Sequence, residues 1–167
     1  AETEELTLCF EFDDLAHFPR SQLESIRTEG TGVWGAEINR GDIVIVENIF
    51  VDPFRWRQGI GRRLVQVLTD VLGYKSAYYT LLARPVFLSM KTFDAVEQQA
   101  PGTLTPQSKQ EIRASAERLP LDFWHAQGLR RVGLSEWLAR SSDPAHPASH
   151  IPENQDAEFD AEACYQY

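Results

Sequence analysis

Arg55, Arg57, Arg62 and Arg63 crowd around a short glycine turn, Gly59-Ile60-Gly61, with Gln58 before it. The chemistry these residues offer is anion binding. If a helix starts at the turn, its first backbone N–H groups have no internal partner and carry roughly half a positive charge. Glycine lets the backbone approach a ligand closely, and arginine adds fixed charge and a donor fork. A phosphate or pyrophosphate would fit there. The plainer alternative is a turn that packs a helix on a strand, with its arginines in water. Both readings stand on these features alone.

Two residues could handle protons. Glu47 is an acid inside the apolar run 43–51, and burial there would make it a stronger base. Its competing role is an ion pair with one of the nearby arginines. His125 is a second candidate, with ending a helix as its alternative. His146 and His150 have ligand spacing only on a helix, and Pro144, Pro147 and Pro152 argue against one. No metal is expected. No Ser-His-Asp or Cys-His arrangement stands out.

The elements that would position these groups can be read around them. Residues 43–51 are mostly β-branched and predict a strand buried on both faces, stopped by Pro53. Ile60, Leu64, Val67, Leu68 and Val71 recur at helical spacing, with Gly73 as the expected cap. Residues 77–83 read as the next strand. Strand, crossover helix and strand make a βαβ unit, which puts the basic turn at the C-terminal edge of a sheet, where α/β proteins bind ligands.

Outside this unit, 6–12 alternates like a strand and 19–29 like a short helix ended by Gly30. Residues 33–39 read as a strand joined to 43–51 by a hairpin turn at 39–42. Thr105 and Pro106 start a helix that Pro120 should break or kink. A shorter helix follows to Gly128, and 131–138 reads as a last strand. Residues 141–152 are linker-like and 153–167 form an acidic tail. The expected organisation is one domain over 1–140, then linker and tail over 141–167 docked on it.

Two features decide between phosphate motifs. The P-loop ending Gly-Lys-Ser/Thr is absent, and so is the third glycine of the dinucleotide fingerprint. What remains is an apolar strand, Val51-x-Pro53, then Arg57-Gln58-Gly59-x-Gly61 opening a helix. This resembles the coenzyme A loop of the GNAT superfamily of N-acetyltransferases. Residues 123–133, Phe-Trp-His-Ala-Gln-Gly-Leu-Arg-Arg-Val-Gly, resemble that family's C-terminal motif, a helix ending in Phe-Tyr-x-x-x-Gly-Phe before a strand. The likeness covers about 33–138. It departs at Trp56, where the family prefers Arg or Gln, and at Trp124, where a tyrosine often protonates the leaving thiolate.

The resemblance implies a single mixed α/β domain, its sheet splayed between two parallel strands and helices on both faces. It implies transfer of acetyl from acetyl-CoA to a primary amine. Gly59, Ile60, Gly61 and Arg62, with Arg57 and Gln58, would hold the pyrophosphate. Ile49, Phe50 and Val51 would line the pantetheine path, with a backbone N–H polarising the thioester, and Glu47 would be the base. A catalytically weak acyl-CoA-binding or protein-interaction module is the alternative.

Composition narrows the field. A net charge of −9 disfavours a general nucleic-acid binder. No run approaches the ~18 apolar residues of a membrane span. Cys9 and Cys164 give no disulfide framework. These point to a cytoplasmic or nuclear protein, and the resemblance implies a small-molecule or peptide amine as its partner, with oligomeric state open.

Overall fold

The computed structural model describes residues 23, 26–47, 49–85 and 105–160. The expected strand at 6–12, both cysteines, most of the helix at 19–29 and the stretch 86–104 lie outside them.

Among the described residues, four strands form one open sheet: β1 (Asp42–Val46), β2 (Tyr79–Ala83), β3 (Arg130–Arg131) and β4 (Leu138–Ser141), in the order β1-β2-β4-β3. β1 and β2 are parallel, from Asp42 opposite Tyr79 to Val46 opposite Ala83. The other pairs are antiparallel. Two long helices among the described residues, α1 (Ile60–Lys75) and α2 (Pro106–Ala126), pack with the sheet. The mixed sheet and its order agree with the expected α/β domain.

Alternation along the strands builds two cores. Tyr79, Leu81, Ala83 and Leu138 face one side and pack with Val65 of α1 and Trp124 of α2. Leu82 and Ala139 face the other, against Ile26, Trp34, Ile38, Val132, Trp137 and Ala148. β2 is buried along its whole length, as a central strand with both faces covered should be.

Several expectations are corrected. Residues 33–39 are not a strand: Ala36–Asn39 is a 3-10 helix. Trp34 and Ile38, four residues apart, are both buried, and the Glu37 side chain accepts the Gly35 N–H at 2.7 Å. This local bond competes with a strand ladder. No hairpin joins 39 to 42; instead the Asp42 N–H reaches the Tyr78 carbonyl.

The strand expected over 43–51 ends at Val46, and β1 is only half-buried. Its described pairing is with β2 alone. The Val51 carbonyl goes to the Trp56 indole N–H at 2.7 Å, and Asp52 caps the next turn through the Phe54 N–H. Those bonds bend the chain away from the sheet.

On α1 the buried face is rotated from the one expected. Val65 is 2% exposed, whereas Leu64, Val67 and Val71 are 49%, 46% and 45% exposed. Leu68 and Leu72 complete the inward stripe with Val65. Gly73 lies inside the helix, which runs on to Lys75, a mid-helix glycine costing about 1 kcal/mol.

Thr105 caps α2 as expected, accepting the Ser108 N–H. The helix then passes through Pro120 unbroken to Ala126. Residues 131–138 are a tight hairpin rather than one strand. Gly133 is left-handed, and the Ser135 hydroxyl donates to the Val132 carbonyl and accepts the Trp137 N–H. Beyond β4, two 3-10 turns (Pro147–His150 and Glu153–Gln155) carry the chain back to the body.

Candidate functional site

α1 returns from the end of β1 to the start of β2, so its N-terminus lies at the C-terminal end of the parallel pair. The turn there is held by short-range bonds. Asp52 starts a 3-10 helix (Pro53–Arg55), the Arg55 N–H bonds the Asp52 carbonyl, and Trp56 closes back on Val51. Trp56 is therefore a staple of the loop. Arg57 follows in the left-handed region, at φ 61°, where a non-glycine residue is strained. Gly59 is also left-handed, at φ 78°.

No side chain caps α1. The first intrahelical bond runs from the Arg63 N–H to the Gly59 carbonyl, so the amides of Ile60, Gly61 and Arg62 precede the helical ladder. A Cβ on Gly59 would meet nothing within 4 Å. Arg55, Arg57, Arg62 and Arg63 are all exposed, as is Gln58. Open amides, left-handed backbone and four solvent-facing guanidinium groups make a suitable cradle for a diphosphate. Such a donor set fits coenzyme A.

The two glycines do different work. A Cβ on Gly61 would stand 2.9 Å from Phe123 Cε2. Gly61 lets α1 and the C-terminal end of α2 pack closely. The two sequence motifs, 57–62 and 123–133, thus touch in space at this residue.

Other expected site residues sit elsewhere. Glu47 lies just past β1 and is exposed, so the burial argument for its basicity fails. Ile49 packs against the core beside α1, Phe50 is 72% exposed, and Val51 is half-buried. None of the three belongs to a strand. Trp124 is 5% exposed inside the core, edge-on to Phe123. Tyr79 is core, and the Tyr78 hydroxyl accepts from Ser141.

His125 turns away from Trp124 toward the C-terminal segment. Its Nε2 is 2.8 Å from Asp156 Oδ2, and Asp156 also accepts the Arg131 and Ala157 N–H groups. His146 is buried and stacks on Trp34 at 4.4 Å. Its Nδ1 accepts the Ala148 N–H, which leaves Nε2 to donate to Glu37. His150 is exposed. The two histidines do not converge, and no group of three metal-binding side chains occurs among the described residues. Both buried histidine pairs escaped sequence reading, because 31 and 109 residues separate the partners. No described helix is long and apolar enough to cross a membrane.

No curated protein and no solved structure matches the chain. A family model does, over a segment that contains β1, the basic turn, α1 and β2 and stops at the last residue of β2. Residues 6–83, just under half of the chain, match the model of the acetyltransferase (GNAT) family, a family of acyltransferases.

Proposed function

We propose that the chain is an N-acetyltransferase that moves acetyl from acetyl-CoA to a primary amine, small or peptide-borne. The observation carrying this reading is the uncapped helix start at 59–62, set among four exposed arginines at the C-terminal end of the parallel pair. Ile60, Gly61 and Arg62 offer amides to the pyrophosphate. Arg57 and Gln58 add side-chain donors, and Gly59 keeps the approach open. Ile49, Phe50 and Val51 follow the unpaired end of β1, where a backbone N–H can serve the thioester oxygen.

Acetyl-CoA supplies the activated acyl group. The chain's own task is to hold it and to free the amine's lone pair. Glu47 is the carboxylate closest in sequence to the end of β1, and it takes the ammonium proton. Glu47 is exposed, so its contact with the ammonium forms only once the amine is bound. No hydroxyl stands at position 124. A thiol near pKa ~8.5 can leave as its anion, without the about 10²–10⁴-fold that an acid contributes.

The buried Trp124 and exposed Glu47 also favour a second reading, an acyl-CoA-binding module with little or no turnover. Two measurements separate them. A thermal shift with acetyl-CoA against free coenzyme A tests the cradle; no shift with either rejects coenzyme A binding. Release of coenzyme A over an amine panel tests the chemistry. Glu47→Gln should keep the thermal shift and lower turnover at least tenfold. Binding without release by the wild-type chain rejects the enzyme reading and leaves the module.

A further inference from the structure

Among the described residues eight large apolar side chains are exposed, and four of them lie on one helix. Leu64, Val67 and Val71 of α1 are close to half exposed, and Tyr74 is 93% exposed. They stand three, four and three residues apart, and Ile60 precedes the first by four. On a helix that spacing draws one seam, the first and fourth positions of a heptad. It is not the inward stripe, which Val65, Leu68 and Leu72 hold against the core. An apolar seam that the chain's own core does not absorb marks an interaction surface.

The charges beside the seam say what can lie on it. Arg63 and Asp70, seven residues apart, share one flank, and both are exposed. Arg63 donates from Nη1 to Gln66 on its own helix, which leaves most of its donor fork open. Asp70 has no bonded partner among the described residues. A surface with an apolar seam and one charge of each sign on the same flank can complement itself.

Two copies of such a helix can meet in either direction. A parallel pair would bring the four arginines at 55–63 of both copies to one end, where like charges repel. An antiparallel pair puts the two basic turns at opposite ends. In the register that sets Leu64 against the partner's Val67, and Ile60 against the partner's Val71, Arg63 stands opposite the partner's Asp70. A two-fold axis makes that contact twice. The next register, with Leu64 against the partner's Tyr74, sets Asp70 against the partner's Asp70. The flank charges therefore select both direction and register.

We propose that the outer face of α1 pairs antiparallel with the same face of a second copy of this chain, through Ile60, Leu64, Val67 and Val71, with Arg63 on the partner's Asp70. Tyr74 then passes over the partner's basic turn, where Phe54 is 80% exposed. A contact about 24 Å long and about 10 Å wide falls short of the about 800 Å² a side of a standard interface. The association is accordingly weak and reversible. It requires no coenzyme A and no acyl transfer, so it stands or falls independently of the reading above.

The test follows the full chain without coenzyme A by sedimentation velocity, from about 1 μM to about 1 mM, the span of weak association. A monomer–dimer equilibrium is expected. Val67→Glu puts a charge into the seam and should abolish it. Position 67 faces solvent in the single chain, so the unfolding midpoint of a dilute sample should not move. Arg63→Glu and Asp70→Arg should each weaken the dimer about tenfold, because two ion pairs become two like-charge contacts. Mixed in equal amounts, these two variants should form a heterodimer near wild-type strength, since both contacts then join opposite charges again. A chain that stays monomeric throughout overturns the proposal and leaves the seam to a different partner. Dimers that survive Val67→Glu overturn it by placing the interface elsewhere. A mixture no stronger than its two parents overturns the antiparallel register.

Discussion

Arginines cluster twice in this chain, at 55–63 and at 130–131, and the two clusters do opposite things. Arg130 donates from Nε to the Ile151 carbonyl and from Nη1 to those of His125 and Leu129. Arg131 is 4% exposed and holds the carbonyls of Ala157 and Ser135. These guanidinium groups are consumed in tying the C-terminal segment to the body. At 55–63 the guanidinium groups face solvent, and the one described bond among them runs from Arg63 to Gln66 on the same helix. The same residue type is a structural bolt in one place and an offered donor in the other. Hydrogen-bond accounting tells them apart; charge density does not.

The largest effect that could break this contrast is on stability. Arg131→Met removes the donors of two carbonyls, and a buried polar group left unpaired costs about 1–3 kcal/mol. A loss of about 2–4 kcal/mol is expected in urea unfolding, with release of the segment around Ala157. Replacing Arg55, Arg57, Arg62 and Arg63 together by Gln should move stability by no more than about 1 kcal/mol, since exposed substitutions usually do little. The same four changes should abolish the acetyl-CoA thermal shift. If the quadruple variant unfolds while Arg131→Met does not, the assignment of the two clusters is reversed.

A smaller effect sharpens the contrast inside the turn itself. Gly61→Ala drives a methyl to 2.9 Å from the Phe123 ring. Overpacking of this kind costs about 1–3 kcal/mol, and Phe123→Leu in the same chain should recover part of it. Gly59→Ala meets nothing, but it places a Cβ on a left-handed residue, worth roughly 1–2 kcal/mol. No change at Phe123 should rescue it. A double-mutant cycle measures both. Rescue of Gly59→Ala by Phe123→Leu would refute the separate roles.

The sequence carried the central unit well. Periodicity marked α1 and composition marked β2, while Gly59 and Gly61 marked the turn between them, because local backbone demands leave local traces. The same signals misled where a side chain bonds its neighbours. Glu37 and Ser135 each capture a nearby N–H, turning an expected strand into a 3-10 helix at 36–39 and a hairpin at 131–138. The apolar count on α1 was right, yet the buried face was not. Leu68 is inward as its spacing predicts, but Val65 and Leu72 flank it, while Leu64, Val67 and Val71 face out. A docked tail is expected from the sequence, but the residues that dock it have no signature there: Asp156 is one acid among many until Arg131 and His125 are folded against it.

The finest test concerns Arg57, where the two kinds of arginine meet in one residue. Its side chain is exposed, yet its backbone holds a left-handed conformation that only glycine adopts freely. Arg57→Ala and Arg57→Gly both remove the charge, and they differ only by a Cβ. Both should weaken acetyl-CoA binding alike if the guanidinium is the offered group. Their stabilities should differ: the glycine relieves strain of roughly 1–2 kcal/mol but loosens the unfolded chain by roughly 0.5–1 kcal/mol. Gly at 57 should therefore unfold about 0.5–1 kcal/mol later than Ala, a gap readable from paired urea midpoints. Equal midpoints would mean the turn carries no strain at Arg57. A more stable alanine variant would mean that position 57 leaves the left-handed region in solution, and the cradle would then need a ligand to form.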